Sequence, residues 1–122
     1  MSDNTLCNAV KSLIALHHLS QYQADRFLEF FSCLEVGDLV YAGMFKSKLN
    51  ITIEYAYRIL EELKTQGFLV HWYEIYCYNC NKSTGIFLDT PRKFKPELYC
   101  DYCGKLLNMD DNLIVLYKVV KV

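Results

Sequence analysis

Residues 77–104 read CYNCNKSTGIFLDTPRKFKPELYCDYCG, and the two Cys-x-x-Cys pairs in this stretch govern how the rest of the chain is read. Cys77 and Cys80 form the first pair and Cys100 and Cys103 the second, with the nineteen residues 81–99 between them. Each pair makes a turn that brings two thiolates to one side, and two such turns complete a tetrahedral set around one ion. Gly104 directly after the last cysteine suits a tight turn in which backbone amides donate to sulfur. Asn79, Asn81 and Lys82 occupy the corresponding turn of the first pair. Two disulfides would need an oxidising compartment. A thioredoxin-like redox pair would need a single Cys-x-x-Cys beside a βαβ pattern. An iron–sulfur cluster also takes four thiolates, so the ion is inferred from softness and geometry, which favour one structural Zn²⁺. With all four positions filled by protein there is no open coordination site, and no catalytic role for the metal is expected.

Composition sets the frame for that centre. The chain has 122 residues, suited to one compact domain or a domain with a small appended module. Hydrophobic residues make up 52% and charged residues 22%, enough apolar material for a packed core and too little charge for a disordered chain. Thirteen basic against fourteen acidic residues give a net charge of −1. Nucleic-acid binding is therefore possible but not indicated by net charge, since phosphate neutralisation normally calls for a basic excess. No apolar run approaches the roughly 18 residues of a membrane span. The polar start, Met1–Thr5, shows no basic region leading into an apolar stretch, so a cytoplasmic, reducing location is expected.

Upstream of the cysteines the apolar period is helical. Leu6, Val10, Leu13 and Leu16 predict a helix over 5–18, and Ser20 with Gln23 forms a capping box opening a second helix from Gln21 to about Leu34. Asp38 is expected to cap a third helix over 39–48. Asn50 and Thr52 then turn the chain into a fourth, 53–66, ended by Gly67. From Phe68 the period changes to two, predicting a strand over 68–76; a turn-rich stretch, 77–112, follows, and Leu113–Val122 reads as a second strand. Cys7 and Cys33 read as buried, small apolar residues, and His17, His18 and His71 as structural or surface groups.

The stretch Gly37–Val70 resembles a winged helix-turn-helix. Asp38, Leu39, Val40, Phe45 and Leu49 match its first helix, Asn50 its turn, Ile53, Ala56, Leu60 and Leu63 its second helix, and Gly67-Phe68-Leu69-Val70 the opening of its wing. Together with Cys77, Cys80, Cys100 and Cys103 the order of elements is similar to the N-terminal half of the transcription factor E alpha subunit, without that family's long linking helix. The resemblance implies an adapter role on transcription machinery. It also implies an α+β fold: a winged helix-turn-helix over 1–76, with 113–122 as its returning wing strand, and a zinc ribbon over 77–112. The ribbon is either inserted at the wing hairpin or placed after it. The strand 68–76 finds no partner before Leu113, so the inserted form, which leaves no unpaired wing strand, is preferred; it buries Leu113, Val115, Tyr117 and Val119, or the alternate set if the register slips by one.

Two functions compete, neither enzymatic, since no phosphate-cradling loop, nucleophile–base pair or open metal site is visible. The first is a nucleic-acid-associated, transcription-type regulator. Residues 77–105 carry five bases and three acids, and Arg92, Lys93 and Lys95 surround Phe94, so cations could grip phosphates while the ring stacks on a base. Arg58 is the one well-placed guanine donor on the fourth helix, where 52–66 hold three acids against two bases. The second is a protein-interaction adapter subunit using Tyr55, Tyr57, Tyr73 and Tyr102. The apolar faces of the first two helices would also serve a dimer seam.

Overall fold

The computed structural model describes residues 5–122, an α+β chain whose strands form an antiparallel sheet in the order β1-β4-β2-β3. The chain divides into two compact units, one formed by residues up to Val70 together with Tyr117–Val122, the other by His71–Leu116. Among the described residues no helix is long and apolar enough to cross a membrane.

The first unit contains α1 (Thr5–Leu16), α2 (Gln21–Ser32), β1 (Leu39–Val40), α3 (Ala42–Leu49) and α4 (Ile53–Thr65), with the start of β2 (Leu69–Cys77) and the end of β4 (Leu113–Val119). The Ser20 hydroxyl accepts the Gln23 amide at 3.2 Å while the Gln23 side chain accepts the Ser20 amide, so the capping box is complete. Asn50, at φ 53°, ends α3 in the left-handed conformation, and the Thr52 hydroxyl caps α4 by accepting the Tyr55 amide. The fourth helix buries Ala56, Ile59, Leu60 and Leu63; Ile53 is only half-buried. These pack with Leu6, Val10 and Leu13 of α1, with Phe27 and Phe31 of α2, and with Phe45 of α3. The Phe27, Phe30 and Phe31 rings each lie 5.2–5.4 Å from that of Phe45, in tilted or edge-on contact.

Leu39 and Val40 are strand, not the first turn of a helix. Their backbone pairs with Lys118 and Tyr117 of β4, and α3 begins only at Ala42 with no side-chain cap. Asp38 instead accepts the Glu35 amide at 2.8 Å, closing the preceding turn. Cys33 is exposed and Cys7 half-buried, so neither is the buried apolar residue expected.

The second unit holds most of β2, all of β3 (Lys82–Leu88), the single turn Pro91–Lys93, the short helix α5 (Met109–Asn112) and the start of β4. The expectation that the first long strand finds no partner before Leu113 is corrected here: β3 pairs antiparallel with β2, matching Tyr73 with Leu88 and Cys77 with Lys82. The two residues Glu74 and Tyr76 face Phe87 and Ser83, so β3 bulges over Thr84–Ile86. Gly85 adopts φ +79° there, a conformation only glycine takes freely. The Thr84 hydroxyl donates to the Ile75 carbonyl at 2.7 Å and accepts the Ile86 amide at 3.2 Å, replacing the ladder bonds the bulge removes. In β4 the buried residues are Leu116, Tyr117 and Val119; Leu113 is half-buried and Val115 exposed, so strict alternation fails along this strand.

Candidate metal centre

Each cysteine pair sits at the end of its own hairpin. Cys77 ends β2 and is paired with Lys82, so Tyr78, Asn79, Cys80 and Asn81 form the connecting turn to β3. Cys100 to Cys103 lie in a second, smaller hairpin closed by a bridge between Tyr99 and Leu106 and by the Leu107 amide donating to the Leu98 carbonyl at 2.8 Å. Within it the Gly104 amide donates to the Cys100 carbonyl at 2.8 Å and the Cys100 amide to the Lys105 carbonyl at 2.9 Å. Asn81 and Gly104, each one residue past a second cysteine, both have positive φ, 55° and 75°. The left-handed residue reverses the chain, and after Gly104 the Lys105 amide reaches Cys103; Asn and Gly are the residues that adopt this conformation most readily.

The four sulfurs converge. All lie within 4.8 Å of one another, with Cys77 to Cys103 and Cys80 to Cys100 both at 3.6 Å. A disulfide would need about 2.05 Å, so these are four separate thiols. A tetrahedron with metal–sulfur bonds of about 2.3 Å has edges of about 3.8 Å, close to the separations found. Four sulfurs this close could ligate one ion, whereas a multi-iron cluster shares its cysteines among several irons and holds the set further apart. The set could hold a single metal ion, and its spacing is consistent with zinc.

Electrostatics set Cys103 apart from Cys80. The Asn79 side chain, the Lys105 amide and the neighbouring sulfurs stabilise the Cys103 thiolate and bring its pKa down to about 6 against the opposing effect of burial. Burial, then hydrogen bonds in which Cys80 keeps its proton against the other three cysteines, push its thiol up to about 12. Four thiolates in one place repel, so a divalent cation is the natural completion of this cluster.

Around the sulfurs Ile75, Cys77, Cys100 and Leu107 form a small buried core, with Leu88, Phe94, Leu98 and Leu113 packed on it. Asn112, only 8% exposed, donates to the Tyr76 carbonyl and accepts the Asn108 amide, both at 3.0 Å. It fastens α5 to β2, a role with no signature in the sequence. The Lys82 ammonium lies 4.6 Å from the Tyr102 ring centre, linking the two knuckles.

Other residues singled out from the sequence are placed differently. Phe94 is half-buried, with its ring packed on the sulfur-bearing core. Arg92, Lys93 and Lys95 are exposed, with Lys93 held by Asp89 at 2.9 Å. Arg58 is exposed on α4 beside Glu61, Glu62 and Thr65. Tyr55 is half-buried against the helical core, and its buried hydroxyl has no hydrogen-bond partner among the described residues. It stacks edge-on with His17, which in turn contacts Glu62 at 3.2 Å. Burial is the main reason the Tyr55 pKa is raised. Tyr57 and Tyr102 are exposed and Tyr73 is half-buried, so the four tyrosines do not share one environment. Neither protein-family models, nor curated proteins, nor solved structures include a match to this chain.

Proposed function

We propose that the chain is a non-enzymatic adapter: a winged helix-turn-helix carrying a zinc ribbon, in which one structural Zn²⁺ on Cys77, Cys80, Cys100 and Cys103 shapes a surface for a protein partner. The observation that carries this reading is the inward packing of Phe94. That packing engages part of the ring that a single-strand grip would use for stacking on a base. On α4, Arg58 stands among carboxylates that would repel phosphate. The Cys-bearing unit instead exposes apolar and amphipathic side chains, with Tyr78, Tyr99, Tyr102 and Leu106 all more than half exposed. Tyrosines of this kind anchor protein interfaces at small entropic cost.

Bound zinc would order the two knuckles and neutralise their thiolates; Asn79 and the Lys105 amide would orient Cys103 toward it. The test is purification of the full chain from its own cells with nuclease treatment, followed by metal analysis and native mass measurement. A protein complex that survives nuclease, with about one zinc per chain, is the expected result. A chain recovered without any protein partner counts against it.

A second reading, a nucleic-acid-associated regulator, draws on Arg92 and Lys95, both exposed. It requires binding to DNA or RNA that weakens steeply with salt, with a log–log slope of about −0.7 to −0.9 per phosphate contact. Loss of that binding in the Arg92→Ala/Lys95→Ala double variant would favour it over the adapter.

A further inference from the structure

Within the second unit, Ile75, Ile86, Leu88 and Leu98 wall a cleft of about 180 Å³ whose lining is completed by Lys93 and Lys95. The metal centre does not require this space. Its walls are aliphatic, made by these apolar side chains and the stems of Lys93 and Lys95, and no acidic residue lines it. The volume suits one leucine- or phenylalanine-sized side chain. A nucleobase would bring ring nitrogens and exocyclic groups against walls with nothing to pair them.

The cleft is held open by its own loop. The Lys93 amide donates to the Thr90 carbonyl at 3.2 Å and the Phe94 amide to the Pro91 carbonyl at 3.0 Å. Asp89 ties down Lys93 at 2.9 Å, and Phe94 anchors the segment in the core. Binding therefore does not have to order the loop first. Arg92 and Lys95, in contrast, are exposed and have no anionic partner among the described residues. β3 is the last strand in the sheet order, where an added strand could pair. Its bulge interferes, because the Gly85 and Ile86 amides are already taken by the Ser83 and Thr84 hydroxyls. Recognition here runs through side chains in the cleft.

We propose that this cleft is a docking site for a partner-protein segment in which one leucine- or phenylalanine-sized side chain is flanked by carboxylates, the apolar group entering between Ile75, Ile86 and Leu98 and the acids meeting Lys95 and Arg92. The inference rests on the adapter reading and names the chemistry of its partner.

The experiment is an NMR titration of the metal-loaded full chain, labelled at isoleucine and leucine methyls, with the pentapeptide Glu-Asp-Leu-Asp-Glu. The methyls of Ile75, Ile86, Leu88 and Leu98 are expected to shift. Replacing the peptide's leucine by alanine should weaken binding about tenfold, as expected for losing one buried aliphatic side chain. Lys95→Glu should weaken it and lose its salt dependence, and Ile86→Asp should abolish it, each variant keeping its metal. Methyls that do not move at millimolar peptide would overturn the proposal. So would equal shifts with Lys-Lys-Leu-Lys-Lys or with a short oligonucleotide. If Ile86→Asp still co-purifies with the same protein partner, the cleft is refuted while the adapter reading stands. Absence of any protein partner refutes the adapter reading itself.

Discussion

Tyr117 donates its hydroxyl to the Glu61 carboxylate, and this bond fastens the end of β4 to α4 within the helical unit. Tyr117 is 1% exposed, so its ring fills the core while its oxygen needs a partner. A hydrogen bond to a charged acceptor contributes about 1.5–3 kcal/mol. Tyr117→Phe is therefore expected to lower unfolding stability by about that amount with secondary structure retained, as measured by denaturant titration.

The same pair makes stability depend on alkaline pH. Burial first, then the bond to Glu61, raise the Tyr117 pKa above its ordinary value near 10. The unfolded chain loses this proton as pH passes about 10 while the folded chain keeps it. The contribution is thus fully present below that pH and declines above it. Wild-type stability should fall between pH 10 and higher values, and Tyr117→Phe should flatten that decline. Equal slopes for the two proteins would remove Tyr117 as the cause.

Metal removal should act on the second unit. Its buried core is small and two of its four members are cysteines, whereas the helical unit has a large aromatic and aliphatic core. Binding of zinc by thiolates supplies on the order of 10 kcal/mol to small modules. Cys77→Ser or Cys103→Ser should lower metal content well below one per chain and unfold residues 71–116 as seen by amide exchange, while α1 to α4 stay protected. Protons compete for the same sulfurs, so retention against a chelator should fall as pH is lowered. Unchanged metal content in both serine variants would contradict the assignment.

What the sequence made legible was local. The Ser20–Gln23 box, the turn at Asn50 and Thr52, and the left-handed Gly67 after α4 depend on residues close in sequence, and each is found where the pattern placed it. The cysteine spacing brought four sulfurs together because two short hairpins need little else. Strand identity at Leu39–Val40 was not legible, since it is conferred by Tyr117 and Lys118 from the far end of the chain. β3 was hidden because its bulge at Gly85 breaks the two-residue period. Phe94 sits among Arg92, Lys93 and Lys95 in sequence, so it read as a surface ring; only the folded loop shows that it packs against the sulfur-bearing core.

The knuckle turns can be tested separately from the ligands. A Cβ at Gly104 would meet nothing within 4 Å, so the cost of Gly104→Ala is the backbone strain of a non-glycine residue at φ +75°. That is about 1–2 kcal/mol, read as weaker metal retention against a competing chelator. At the matching position Asn81→Gly should be tolerated and Asn81→Val should not, since a β-branched residue disfavours φ 55°. Similar retention for the Gly and Val variants would show that the left-handed turn does not shape the site.

The bulge offers the sharpest test of how β3 is held. Thr84 sits where β3 leaves the ladder, and its hydroxyl both donates to Ile75 and accepts from Ile86. Thr84→Val keeps the branched shape but leaves that carbonyl and that amide without their partner. Thr84 is half-buried, so water can replace part of the loss, and the expected cost is about 1–2 kcal/mol of unit stability. Thr84→Ser keeps the hydroxyl and should recover most of it. Because Ile75 and Ile86 also wall the lysine-lined cleft, Thr84→Val should in addition speed amide exchange at Ile86 without changing metal content. Exchange at Ile86 as slow as in the parent protein would mean that the side-chain bonds, though present, do not hold the bulge.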